Sequence, residues 1–319
     1  LMASLCSCES RSGVTAETQC FKADSVYYAK GFEISRSDEW IIVNVRNPWD
    51  TLKTLRSYVL IDKNKPLPDS LPEGILIRTP IEKAVFYTSV HASMVVQMGR
   101  VDAIKGVCET QYVTDSAILT RLADGRIADI GLATAPNIEK IIELDAELII
   151  ASPYENSGYG AAEKLGIPIV EAADYMENHP LGRTEWGRFY GLLFGKGERA
   201  DSIFFATRER YNYLKNLAAK SDNRPRVLLE RKYGASWIIP AGGSYIGTIH
   251  SDAGADYIFS DFKGSESVHQ TFESVLDKAY DADIWLFKYD TKHEYTYDIL
   301  KDEYQPYSNF RPFKERNIY

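Results

Sequence analysis

The chain has 319 residues, too many for one ordinary domain and suited to two. Hydrophobic residues make up 45% and charged residues 26%, which is the composition of a globular chain and not of a disordered or fibrous one. A formal net charge of −8, with no basic stripe, excludes nucleic acid as the expected partner, because a polyphosphate needs one.

The first residues, "LMASLCSCES", are similar to the end of a bacterial lipoprotein signal peptide. A leucine and a small residue precede Cys8, which would make Cys8 the lipidated residue; the basic segment expected upstream is missing, so the start reads as clipped. An ordinary terminus with two chance cysteines is the alternative. Residues 1–21 read as signal-peptide remnant and polar tether, and the expected location is periplasmic, held to the membrane as a lipoprotein. No run of 18 apolar residues occurs, so no membrane-spanning helix is expected. Cys20 and Cys108 fit no zinc spacing, and a disulfide between them stays open.

Residues 26–60 alternate apolar and polar in pieces such as "WIIVNV" and "SYVLI", which predicts antiparallel strands. After the Pro-rich loop 63–74 the pattern becomes strand–helix alternation: "KAVFYTS", "VHASMVVQMG", "AIKGV", "NIEKIIEL", "AELIIAS", "GYGAAEKLG", "IPIVEA". Such alternation implies a parallel sheet covered by helices. From Pro180 to Pro225 the apolar positions take helical spacing. Ala200, Ile203, Phe204, Thr207, Tyr211, Leu214 and Ala218 form one stripe, and a helix from Glu198 to Lys220 would span about 35 Å, long enough to bridge two lobes. "RTEWGRFYGLLF" reads as a separate helix before it. Alternation resumes with "RVLLE", "ASWII", "FESVLDKAY" and "DIWLFK", and the chain then ends without a closing helix, as if truncated.

The segment "AGGSYIGTIHSDAGADYIF", 241–259, repeats the grammar of residues 84–106: a strand, a small polar joint, a helix of small residues, a glycine, an aspartate and a strand. Gly99 and Asp102 answer to Gly254 and Asp256. "IEKIIELDAELIIAS" and "FESVLDKAYDADIWLFK" make a second pair, with Glu139 and Glu273 near the helix starts. Two related lobes account for both echoes. The expected organisation is a first lobe over 22–181, linker helices over 182–222 and a second lobe over 223–319.

The stretches 85–107, 137–151, 165–172, 180–204, 236–259 and 281–287, in that order, resemble class III periplasmic substrate-binding proteins of ABC importers. The resemblance covers residues 40–319. It implies an α/β fold of two Rossmann-like lobes with central parallel sheets, joined by a long rigid α-helix, with a ligand cleft between the lobes. It implies a non-enzymatic monomer with no intrinsic cofactor, whose ligand is a ferric siderophore, haem or cobalamin, and whose partners are an ABC permease and its ATPase.

In open α/β sheets ligands bind beyond the carboxyl ends of strands. In the first lobe those loops carry Ser89 and His91, then Tyr112, then Tyr154; in the second they carry Trp237, Ser244 and Tyr245, with Lys232 nearby. Gly242 and Gly243 would let the backbone approach a bulky ligand. Ser244 suits a helix N-cap better than ligand contact, and His91 a structural role, whereas Trp237 and Tyr245 divide evenly between ligand stacking and core packing. A caged bare metal ion is disfavoured, since of His91, His179, His250, His269 and His293 only His91 falls in a cleft loop. The family's docking carboxylates for the permease would include Glu155; the matching position in the second lobe falls near Gly243, which is not acidic, and Asp252 is the fallback. "GGSY" is neither a phosphate-binding loop nor a nucleophile elbow. The rival readings are a nitrogenase-like metallo-cofactor enzyme, which would need cluster cysteines, and a stand-alone surface haem-binding module.

Overall fold

The computed structural model describes residues 22–289 and 294–319. The chain opens with a five-stranded sheet of β1 (Lys22–Ala23), β2 (Phe32–Arg36), β3 (Ile41–Arg46), β4 (Thr54–Asp62) and β5 (Ile75–Thr79), in sequential order. Strands β2 to β4 are antiparallel, as their alternation predicts, and β5 joins β4 in parallel.

Strand–helix alternation then builds the sheet of the first lobe: β6 (Ala84–Phe86), α1 (Ser89–Gln97), β7 (Ile104–Val107), α2 (Ser116–Ala123), β8 (Ala128–Asp129), a small hairpin β9 (Gly131–Leu132) and β10 (Ala135–Pro136), α3 (Ile138–Glu143), β11 (Leu148–Ala151) and β12 (Ile169–Glu171). The order is β12-β11-β6-β7-β8, all parallel. Residues of β6, β11 and β12 are buried on both faces, which is why these strands are continuous apolar runs.

Two helices follow, α4 (Pro180–Leu193) and α5 (Gly197–Ala218). Pro180 sits in the first turn of α4, where its missing N–H costs nothing, and His179 caps that turn. Gly191 lets the two helices touch: a Cβ there would lie 2.5 Å from Ala200 Cβ. Trp186, Phe189, Tyr190 and Leu193 are completely buried with the first-lobe strands. Helix α4 is therefore part of the first lobe's core and not a linker. The 22 residues of α5 span about 33 Å and carry the chain to the second lobe.

The second lobe comprises β13 (Arg226–Leu229), β14 (Lys232–Tyr233), β15 (Ser236–Pro240), α6 (Tyr245–Asp252), β16 (Asp256–Tyr257), β17 (Ser267–Gln270), α7 (Phe272–Ala279), β18 (Ile284–Leu286), α8 (Tyr297–Glu303) and α9 (Arg311–Lys314). Its parallel sheet is β16-β13-β18; "ASWII" belongs instead to an antiparallel sheet, β14-β15-β17. The expectation of a helix-free end is corrected, because α8, α9 and the turn between them close the core, with Leu300 from α8 and Tyr307 and Phe310 from the turn, and Ile318 bridges Trp285 of β18.

The echo between the lobes extends to single hydrogen bonds. Helix α1 ends with Gly99 N–H on Val96 O at 2.8 Å and Arg100 N–H on Val95 O at 3.1 Å. Helix α6 ends with Gly254 N–H on Ser251 O and Ala255 N–H on His250 O, both at 3.0 Å. Both are the same helix-ending motif, and both glycines hold the positive φ it requires, +74° and +86°.

Candidate ligand-binding cleft

Between the lobes lies a cavity of about 480 Å³, within the range of small-molecule sites. Its first-lobe wall is the segment leaving β12, with Tyr175, Met176 and Asn178, and Arg183 from the first turn of α4. Its second-lobe wall is formed by residues 230–233 after β13, by Ile238 and Pro240 of β15, and by the start of α6. Glu230 holds φ +60°, a left-handed conformation uncommon outside glycine, at the point where the chain leaves β13 and turns along the cleft.

Arg183, Arg231, Lys232 and Lys288 bring positive charge to this space, and Glu177, Glu230 and Glu266 bring negative charge. The carboxylates do not all face a ligand. Glu177 accepts from Lys30 N–H, Gly31 N–H and Trp186 Nε1–H at 2.8–3.0 Å, and Lys288 lies 3.6 Å from Glu230. Arg231 pairs with Glu303 at 2.7 Å. The guanidinium of Arg183 sits 5.0 Å above the Tyr245 ring and 3.7 Å from Asp174, and the Lys232 ammonium sits 4.6 Å from the Tyr304 ring centre. Lys232 has no carboxylate partner among the described residues. Each lobe thus presents a cation flanked by an aromatic ring. Tyr175 donates to Pro153 O at 2.7 Å, and burial pushes its phenol up.

Of the residues expected at the site, Ser244 and Tyr245 line this cleft. Ser244 is committed to structure: its Oγ donates to Ala241 O at 2.6 Å and accepts from Gly247 N–H at 3.1 Å, capping α6. Trp237 is corrected. It is fully buried against Trp285, Tyr307 and Phe310, with Nε1–H on Leu229 O at 3.0 Å. Alternation along β15 is the reason: Ile238 faces the cleft, and so Trp237 faces the core. His91 does not reach the cleft either: it is 2% exposed, with Nε2 2.8 Å from Asp174 in the first-lobe interior.

Ser89 and Tyr112 lie side by side, Ser89 Oγ 3.5 Å from Tyr112 O, and neither lines the cleft. Tyr154 is exposed and borders a separate first-lobe pocket. The reason is strand order. β12 is the edge strand, and its exit leads into α4, whose first turn meets α6; β6 and β7 lie deeper in the sheet. The residues missed by sequence reasoning, Tyr175, Met176, Asn178 and Arg183, all follow β12, where the strand-end rule applied equally. Gly242 and Gly243 serve the chain itself: a Cβ on either would meet Ser260 O at 2.3 Å or Gly264 O at 2.5 Å. Glu155 lies on an exposed turn after β11. Asp252 is tied to α5 by Tyr211 and Lys215 and is not a free carboxylate. Cys108 is a buried free thiol; Cys8, Cys20 and His293 lie outside the described residues. Among the described residues no cluster of three or more His, Cys, Asp or Glu could hold a metal ion, and no helix is long and apolar enough to cross a membrane.

Two α/β lobes, a 22-residue helix joining them and a polar cleft between them give the layout of a two-lobed binding protein. The profile of the periplasmic binding protein family matches residues 87–317, and the chain belongs to that family, with the architecture of its class III substrate-binding members. An uncharacterized lipoprotein of Methanocaldococcus jannaschii, MJ0878, is 28% identical over 92% of this chain and 75% of its own length. Among solved structures, the periplasmic heme-binding protein HutB of Vibrio cholerae matches with a TM-score of 0.61 at 15% identity, covering 74% of this chain and 88% of that one. The vitamin B12-binding protein BtuF of the same organism matches at 0.53 and 20%, covering 75% and 87%.

Proposed function

We propose that the protein captures an anionic metal chelate, a ferric siderophore or haem, between its lobes and delivers it to the permease of an ABC importer while tethered as a lipoprotein. The carrying observation is the placement of Arg183 on one wall and Lys232 on the other, each beside an aromatic ring, in a cavity sized for a small molecule. Charge-assisted bonds to cations in a partly desolvated site favour carboxylate, catecholate or propionate groups. Cobalamin, which calls for no matching charge, leaves these cations unused. The lipoprotein naming of the MJ0878 relative supports the tether. Within the anionic class, Met176 and the phenols of Tyr233 and Tyr245 are side chains of the kind that ligate haem iron.

The test is calorimetric titration with ferric citrate, haemin and cyanocobalamin at low and high salt. Binding of an anionic chelate that weakens with salt, and that weakens further in Arg183→Ala and Lys232→Ala by about 1.5–3 kcal/mol each, is expected. Tight, salt-independent binding of cyanocobalamin with no binding of either iron complex would overturn the reading.

A further inference from the structure

Behind the first-lobe wall of the cleft sits a carboxylate that does not line it. Asp174 is 1% exposed and opens the short turn whose next residues, Tyr175 and Met176, do line the cleft. Its Oδ1 lies 2.8 Å from Nε2 of His91 on α1. A carboxylate only accepts, so Nε2 is the donor, and this bond fixes the carboxylate from the interior side. Oδ2 is buried and has no hydrogen-bond partner among the described residues; the cation it faces is Nε of Arg183, at 3.7 Å. A buried charge without a partner is costly, so Oδ2 pulls on that cation.

The edge of the guanidinium that meets Asp174 decides what is left for a ligand. Arg183 turns Nε toward the buried carboxylate and rests 5.0 Å above the Tyr245 ring of the other lobe. Its terminal nitrogens make no hydrogen bond or ion pair among the described residues, and its side chain is 30% exposed. Those two nitrogens form the fork that grips a carboxylate in bidentate fashion. We infer that Asp174, held by His91, is a positioning residue for the cleft: it anchors Nε of Arg183 from behind, so that the terminal fork is already set when an anionic ligand arrives. The inference rests on the anionic-chelate reading of the cleft and assigns a role to two buried residues that do not touch the ligand. A long side chain fixed in advance spares the ligand the entropy cost of ordering it.

Two readouts separate this inference from the reading it rests on. The first needs no ligand: the heteronuclear NOE of the arginine Nε–H groups, with the Arg183 signal identified by its loss in Arg183→Lys. In the unmodified protein that group should be ordered, well above exposed Arg199, and in Asp174→Asn it should fall to the level of Arg199 while the other arginine signals stay in place, which also shows that the variant is folded. The second is calorimetry with ferric citrate. Asp174→Asn should weaken binding by about 2- to 10-fold, because Arg183 must then be ordered on binding. Charge alone gives the opposite sign, since removing a carboxylate beside Arg183 would tighten the hold on an anion. The loss should persist in the Lys232→Ala background and vanish in Arg183→Ala, because it runs through Arg183; a general defect of the fold would weaken binding alike in both. Arg183→Lys leaves Asp174 in place but has no fork, and should weaken ferric citrate by a similar factor. A mobile Arg183 Nε in the unmodified protein, affinity that rises in Asp174→Asn, equal losses in the two backgrounds, or full affinity in Arg183→Lys overturns the inference. An ordered Nε that Asp174→Asn releases, with no ferric citrate binding at all, upholds the anchoring of Arg183 and sinks the anionic-chelate reading alone.

Discussion

The hydroxyl of Tyr211, on α5, donates to Oδ2 of Asp252, the last residue of α6, at 2.7 Å, and Lys215 one turn further along α5 reaches Oδ1 of the same carboxylate at 2.8 Å. A carboxylate at a helix C-terminus opposes the helix dipole, and these two partners offset that placement. They tie the second lobe to the helix that comes from the first, next to Gly254, where a Cβ would lie 3.4 Å from Ala218. Asp252→Ala should lower the urea stability by about 1–3 kcal/mol, since it strands the buried part of the network. Lys215→Ala should cost less than about 1 kcal/mol, because that side chain is 46% exposed and its attraction is screened. Equal losses in the two variants would show that the carboxylate does not organise this contact.

A second carboxylate fixes the start of the described chain. Glu185 is fully buried in α4 and accepts from the N–H groups of Tyr27, Tyr28 and Ala29 at 2.7–3.1 Å, with Arg188 at 3.1 Å. Both carboxylate oxygens accept from these N–H groups, and an amide side chain would turn its own donors against them. Glu185→Gln should therefore destabilise by about 3–5 kcal/mol, as breaking a buried charged network does. Limited proteolysis should then cut first near residues 25–31. Unchanged resistance there would mean that other contacts hold the segment.

His179 caps α4 by accepting from Leu181 N–H at Nδ1, at 3.0 Å. Burial holds its imidazole below the ordinary 6.5, against the opposing pull of Asp252, and Lys215 and Lys30 add to the lowering. Protonation at Nδ1 would place N–H against N–H. Because the folded pKa lies below the unfolded one, the unfolded chain takes up the proton first as pH falls. The stability linked to His179 is thus whole above the unfolded pKa and is lost as pH drops through it toward the folded value. His250, also lowered by burial, acts in the same direction. His179→Asn keeps a good cap and removes the titration. The urea midpoint of that variant should fall less between roughly pH 7 and pH 5 than that of the unmodified protein; parallel curves would rule out the cap as a titrating element.

What could be read from the sequence was local. The paired glycines Gly99 and Gly254 announced two equivalent helix ends, and the structure forms the same hydrogen-bonded motif at both. The break at "FGKGE" correctly separated α4 from α5, where Gly195 turns the chain with φ +65°. What could not be read depended on lateral neighbours. Nothing in "IPIVEA" says that β12 is an edge strand, yet that decides that Tyr175 and Arg183 line the cleft while Ser89 and Tyr112 do not. Nothing in "GGSY" says that the close approach is to residues 260–264 rather than to a ligand. The sequence likewise shows α4 as amphipathic spacing and hides that its neighbours close around every side of Trp186.

Alternation along β15 yields a prediction that separates fold from site within two adjacent residues. Trp237 is enclosed by Trp285, Tyr307 and Phe310 at centroid distances of 5.6–5.8 Å, whereas Ile238 is 36% exposed and lines the cleft. Trp237→Ala should destabilise by about 3–5 kcal/mol through the cavity it leaves. Trp237→Phe keeps most of the packing but strands the Leu229 carbonyl, and should cost about 1–3 kcal/mol. Neither change removes a group that faces the ligand, so ferric citrate affinity, measured well below the unfolding midpoint, should stay within about twofold. Ile238→Ala should behave oppositely, with stability changed by less than about 1 kcal/mol, because the side chain is only partly buried, and with affinity reduced where it forms the wall. If Trp237→Phe weakens binding more than Ile238→Ala does, the strand presents its other face to the ligand and the cleft lies on the opposite side of this small sheet.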